Sequence, residues 1–146
     1  MRAHVRNRFE GAIYNVGFET GLREWRRLLV PGGHVAATEV CWTTSEPPQE
    51  CVEFWNQEYP SIRTVSVPLR AIDTCGYDCI AQFPMPQSAW WNDYYQPLQQ
   101  NVAPFRERHR HEADAQQMAD SVQREIDIWR KYGEFYVYEF FVMRAR

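Results

Sequence analysis

Lysine is almost missing from this chain: of its 16 basic residues only Lys131 is a lysine. The skew reads as GC-rich coding and carries no functional message. Long apolar runs are missing too. None reaches the roughly 18 residues of a membrane span, so no membrane partner is expected. Residues 1–8 carry three arginines with no apolar segment behind them, which does not make a secretory signal. An excess of positive charge is also absent: 16 basic against 19 acidic residues give −3, with a pI near 5.8. Proteins that grip nucleic acid by neutralising phosphates show a basic face, so no nucleic-acid partner is expected. Metal and redox cysteine spacings are lacking. Cys75-x-x-x-Cys79 has one residue too many for either motif, and Cys41 and Cys51 stand apart. With nothing pointing to an oxidising compartment, free thiols, a cytoplasmic location and no metal site are expected. There is no internal repeat and no low-complexity tract.

What is present is ordinary in bulk and rich in rings. The 146 residues suit about one domain and are 45% hydrophobic and 24% charged, so a packed core is within reach. Six Trp, eight Tyr and eight Phe make 15% of the chain, which supplies much burial per residue. Residues 1–9 have few apolar positions and are expected to be irregular. Phe18, Leu22, Trp25 and Leu28/Leu29, spaced by three and four, predict a helix over 17–29 that Pro31-Gly32-Gly33 stops. The apolar stretch 34–40 predicts a buried strand. Helices come next over 49–58, with Val52 and Trp55 inward, and from Pro68 to about Cys75, where Gly76 ends the second. Residues 77–83 predict a strand with Tyr77, Cys79, Ala81 and Phe83 on one face. Ser88 can cap a short aromatic helix holding Trp90, Trp91, Tyr94 and Tyr95, and Pro97 and Pro104 break the stretch after it. Ala115, Met118, Val122, Ile126 and Trp129 stripe a long helix over 106–132. The last strand, 135–143, is apolar at nearly every position except Glu139, so it belongs in the centre of a sheet covered by helices. Alternation of this kind implies an α/β layer fold.

The run Glu10-Gly11-Ala12-Ile13-Tyr14-Asn15-Val16-Gly17-Phe18, then Leu22-x-x-Trp25-x-x-Leu28-Leu29-x-Pro31-Gly32-Gly33, then a strand ending Glu39-Val40-x-Trp42, resembles the back half of a class I S-adenosylmethionine-dependent methyltransferase. Leu69-x-x-Ile72-x-x-Cys75-Gly76-Tyr77 resembles the entry to that family's sixth strand. The terminal aromatic strand resembles its antiparallel seventh, inserted between strands five and six. The resemblance implies an α/β fold: the C-terminal half of a Rossmann-like methyltransferase sheet, strands five, seven and six with flanking helices, over residues 10–146. It implies S-adenosylmethionine as cofactor and a small-molecule methyl acceptor. It also shows what this sequence lacks. No G-x-G-x-G run, no acidic ribose ligand and no apolar fourth strand are found, and strand 34–40 is therefore expected to be an edge open to pairing.

Open α/β sheets bind ligands at the carboxyl ends of their strands. By resemblance, Glu10, Ala12 and Ile13 fall on the cofactor side and Tyr14 and Asn15 on the acceptor side; otherwise they simply start a helix. Glu39 can orient the acceptor or take its proton, or serve as a structural acceptor. Trp42 can wall the acceptor pocket or cap the core. The aromatics at 90–95 are a lid, a dimer surface or plain core. His109 and His111 lie among three arginines and read as a solvated helix start, and His34 as structural. Three functional readings are open. The chain is a methyltransferase part, inactive unless a partner chain or a second copy supplies the missing half. It is a decayed remnant. Or it is a non-catalytic binding or dimerisation module derived from the methyltransferase fold.

Overall fold

The computed structural model describes the backbone of residues 7–9 and the whole of residues 16–146. The chain divides into two compact units, Met1–Pro84 with Glu134–Arg146, and Met85–Gly133, where the sequence reading has a single half-domain over 10–146.

The first unit is an α/β sheet. Its strands are β1 (Asn7–Phe9), β2 (His34–Trp42), β3 (Arg63–Thr64), β4 (Tyr77–Pro84) and β5 (Tyr136–Ala145), and its helices are α1 (Phe18–Arg26), α2 (Gln49–Glu58) and α3 (Ser66–Thr74). The spatial order is β1-β2-β5-β4, with β3 also against β2. Strand β5 runs antiparallel to both neighbours, matching His34–Trp42 residue for residue on one side and Tyr77–Pro84 on the other. Only Arg144 of β5 is exposed. The apolar character of 135–143 results from this place.

One face of the sheet carries the core. Val35 and Ala37 of β2, Phe141, Met143 and Ala145 of β5, and Tyr77 of β4 pack with Phe18 and Leu22 of α1 and Ile72 of α3. Leu22, Phe141 and Met143 are fully enclosed, and full burial of such side chains stabilises by about 1.5–3 kcal/mol each. The Tyr77 hydroxyl, buried with them, donates to the Leu22 carbonyl at 2.9 Å. Helix α3 stops at Gly76, whose φ of +86° is open to glycine at no steric cost. Its N–H bonds the Asp73 carbonyl at 3.1 Å.

Three expectations are corrected here. Residues 7–9 are not irregular: they pair in parallel with Val35–Ala37. A ladder is made by backbone N–H and C=O groups, which arginine carries as well as valine. Strand β2 is therefore not an open edge, since β1 and β3 share the side opposite β5. Within β4 a register irregularity between Cys79 and Ala81 puts Cys79 opposite Met143 and Ala81 opposite Val142. Adjacent β5 residues face opposite ways, so Tyr77 and Cys79 lie on one face and Ala81 and Phe83 on the other. An extra residue reverses alternation in this manner.

The second unit is helical: α4 (Gln87–Trp90), a π-helical turn (Trp91–Tyr95), α5 (Gln96–Arg108) and α6 (Ala113–Tyr132). The aromatic segment is its core. Tyr95 is buried, Trp90 stacks on it at 5.7 Å, and Trp91 stacks on Trp129 at 5.4 Å. Pro97 follows the π-helical turn, and the helix continues through it and through exposed Pro104. The single helix expected over 106–132 is two, parted at His109–Glu112. His109 Nδ1 bonds Glu112 Oε1 at 3.0 Å across the break. Of the expected stripe, Ile126 is buried, Ala115, Val122 and Trp129 are half-buried, and Met118 is 62% exposed.

All four cysteines are free thiols. Cys41, Cys51 and Cys75 are buried and Cys79 is exposed. Burial pushes Cys41 up to about 12, helped by the charges of Glu39 and Glu139, and Cys51 up to about 11. Thiolate is the reactive form. An Ellman titration at pH 8 should therefore show one accessible thiol in the native chain and four after denaturation, and Cys79→Ser should remove the native signal.

Candidate functional site

A cleft of about 290 Å³ opens in the first unit at the carboxyl-terminal half of β2. Phe18, Val67, Pro68 and Ala71 give it apolar walls, and Glu39, Tyr59, Ser61 and Arg63 supply polar groups. Strand alternation sets Glu39 on the same face as Val35 and Ala37, the face that α1 and α3 cover. Pro60 comes directly after Tyr59, and the chain turns through residues 59–62 (Ile62 N–H to Tyr59 carbonyl, 3.1 Å) before β3 returns to β2. That turn brings Tyr59 back over Glu39.

Glu39 is the chemical centre of the cleft. Only 6% of it is exposed. Tyr59 donates its hydroxyl to Oε1 at 2.7 Å, while Oε2 is buried with no hydrogen-bond partner. Burial pushes the carboxyl from 4.5 up to about 7, and the bond from Tyr59 opposes that rise. Burial, and next the carboxylate itself, push the Tyr59 phenol up, so it stays protonated and serves as a donor. Glu139 stands directly opposite Glu39 across the β2–β5 ladder and is also buried. It accepts a bond from Gln82 Nε2 at 3.2 Å. A carboxyl poised between its two forms near neutrality can hold or release a proton.

Gly17, with φ +84°, precedes α1 and brings no capping side chain to its first turn. Gly17 to Thr20 line the same cleft. Orphan N–H groups at a helix start favour an electron-rich partner. Glu19, in that turn, is held by Arg23 at 2.6 Å. Arg63 binds the carbonyls of Pro60 and Ile62 through one guanidinium nitrogen.

Of the residues expected at the site, Glu39 lies in the cleft, though inside β2 and not at its end, because the strand runs on to Trp42. Trp42 lies on the opposite face, edge-on to Tyr136 at 6.4 Å; it does not line the cleft that holds Glu39. Glu10, Ala12, Ile13, Tyr14 and Asn15 lie outside the described residues. Tyr59 and Arg63 were not anticipated. Their sequence neighbourhood shows only a helix end and a proline, and their place depends on β3 joining the sheet.

No family model matches the sequence, and no curated protein matches it. Solved structures do. A SAM-dependent methyltransferase from Geobacter sulfurreducens, in complex with S-adenosyl-L-homocysteine, superposes with a TM-score of 0.78 at 18% identity, over 99% of this chain and 59% of that one. YjhP from E. coli gives 0.79 at 19%, over 97% and 58%. A SAM-dependent methyltransferase from Thiobacillus denitrificans, also in complex with S-adenosyl-L-homocysteine, gives 0.73 at 14%, over 97% and 58%. The chain spans little more than half the length of these structures. It has part of the class I methyltransferase fold, and its central antiparallel β5 corresponds to the inserted seventh strand of the C-terminal half.

Proposed function

We propose that this stretch of chain is the acceptor-binding part of an S-adenosylmethionine-dependent methyltransferase, acting on a small molecule, and that it does not transfer methyl groups alone. The observation that supports the reading most is the unequal coverage. Nearly all of this chain matches the methyltransferase fold, but only some 58% of each neighbour is accounted for. The cleft lies where open α/β sheets take ligands. Sites for whole drug-sized molecules run from about 300 to 1,000 Å³; at about 290 Å³ this cleft suits a small acceptor and not a nucleoside cofactor as well. The sequence holds no glycine-rich turn for such a cofactor. The residues present therefore do not fit S-adenosylmethionine by themselves, and residues outside this stretch have to supply its cradle. With 16 basic against 19 acidic residues the chain has no excess of positive charge, which favours a small molecule over nucleic acid as the acceptor. No described helix is long and apolar enough to cross a membrane, and the proposed setting is the cytoplasm.

A calorimetric titration of the purified chain with S-adenosylhomocysteine tests this, with the oligomeric state read on the same sample by light scattering. The expected result is no saturable heat from a folded monomer. Saturable binding by the chain alone overturns the claim that it needs a second half. A stable dimer that ignores the cofactor favours the association module instead; the outer edge of β4, where Ile80 and Phe83 are about half exposed, is the place such a dimer would pair.

A further inference from the structure

We propose that the cleft between α1, β2 and α3 binds a small carboxylate with an apolar body, whose two oxygens dock on the Nε/Nη2 edge of the Arg63 guanidinium while the body rests on Phe18, Val67, Pro68 and Ala71. That this carboxylate is the methyl acceptor rests on the reading above; that the cleft binds it does not.

The inference starts from an arginine that is anchored but whose charge is unanswered. Arg63 lies on β3, held in parallel against Cys41 and Trp42 of β2, and it lines the cleft. Its Nη1 donates to the Pro60 carbonyl at 2.9 Å and to the Ile62 carbonyl at 2.7 Å. Those two bonds use both hydrogens of Nη1. A guanidinium has five N–H groups, so the ones left are on Nε and Nη2. One from each nitrogen points along the same edge, and that fork matches the two oxygens of a carboxylate. The carbonyl bonds also hold the plane of the group before a ligand arrives, which lowers the ordering cost of binding. No carboxylate of the lining takes the fork. Glu19 is held by Arg23 at 2.6 Å, and Glu39 is buried and takes its bond from Tyr59. Among the described residues no acidic side chain pairs with Arg63, which bonds only those two carbonyls. Arg63 is exposed, so a ligand in the cleft can reach it. The walls set the other requirement. Phe18, Val67, Pro68 and Ala71 offer contact surface and no hydrogen bonds from their side chains, so the body of the ligand is apolar. At about 290 Å³ the space suits one ring and a short acidic arm, below the size of a drug-like molecule.

The matched probes are phenylacetate and phenylacetamide, which share a ring and an arm and differ in charge. Each is titrated into the full ¹⁵N-labelled chain, with no cofactor present, and followed by the amide shifts of Ser61, Thr64 and Ala71. Phenylacetate should bind saturably and, at low salt, at least about fivefold more tightly than the amide, the ratio expected of one well-formed but partly exposed ion pair. Salt screens such a pair, so the ratio should fall towards one in about 0.5 M sodium chloride. Arg63→Gln should erase the preference by weakening phenylacetate and leaving phenylacetamide unchanged. Arg63→Lys keeps the charge without the fork and should restore only part of it. Should Arg63→Gln disturb the turn and weaken both probes, the salt series on the native chain and Arg63→Lys decide instead. Equal affinity for the two probes, a preference that survives Arg63→Gln or high salt, a full preference in Arg63→Lys, or no saturable shift with either probe overturns the proposal. The readout is independent of the methyltransferase reading. Carboxylate-selective binding alongside a chain that never transfers methyl groups, even with the missing half supplied, sinks that reading alone.

Discussion

Phe141→Ala should destabilise the first unit by about 3–5 kcal/mol, the usual cost of emptying a buried phenylalanine site. Phe141 has no exposed surface. It sits in the middle of β5, opposite Ala37 of β2 on one side and Gln82 of β4 on the other, and its ring meets Phe18 of α1 at 5.5 Å. The change removes the contact that joins three strands to the helix above them, and strands held on both sides cannot close over the space. Typical domains are stable by only about 5–15 kcal/mol, so the variant should be partly unfolded at 37 °C. Urea unfolding followed by tryptophan fluorescence checks this. A loss under about 1 kcal/mol means that the site collapses freely and that β5 is not the pivot of the core.

The second large effect is one of pH. The Glu39 carboxyl is raised from 4.5 to about 7 in the folded chain, while in the unfolded chain it ionises near its ordinary value. Between these limits the folded state binds the extra proton, so the contribution of Glu39 to stability is fully present below about pH 4.5 and is lost as pH rises to about 7. The gap corresponds to roughly 3 kcal/mol. The groups around it are Tyr59 at the turn after α2, Glu139 on β5 and Cys41 two residues along β2. Of these, Tyr59 and Cys41 are pushed up and out of this window. Glu39→Gln cannot ionise. The stability of the native sequence relative to this variant should therefore fall by about 3 kcal/mol between pH 4.5 and 8, measured by urea midpoints at each pH. A flat difference means that the carboxyl is ionised throughout.

The elements that could be read from sequence are those whose signals are local. Helix α2 keeps the bounds Gln49–Glu58 that its residues announce, and the unbroken apolar character of β5 gives its central place. Misreadings arise where distant partners decide. Residues 7–9, Asn-Arg-Phe, become a strand because β2 offers a free backbone edge. The alternation of β4 reverses at a bulge that only the opposing β5 reveals. The stripe along 115–129 is real, but nothing in it marks the break at His109–Glu112. At the cleft, Glu39 was legible as a carboxylate inside an apolar strand. Tyr59, which satisfies half of it, was not, because the two are brought together by a turn and not by spacing.

The central place of β5 also sets the order in which the molecule can be built. β2 and β4 never pair with one another; each waits for β5. The helical Met85–Gly133 unit lies between β4 and β5 in sequence, and it must leave the ribosome first. Synthesis runs from the amino end at about 5–20 residues per second, so β2 and β4 spend several seconds with the sides meant for β5 unmade, while the helices can already form from local contacts. A nascent chain stalled after Gly133 therefore has helices but no finished sheet, and it presents two apolar strands to any chaperone or second nascent chain nearby.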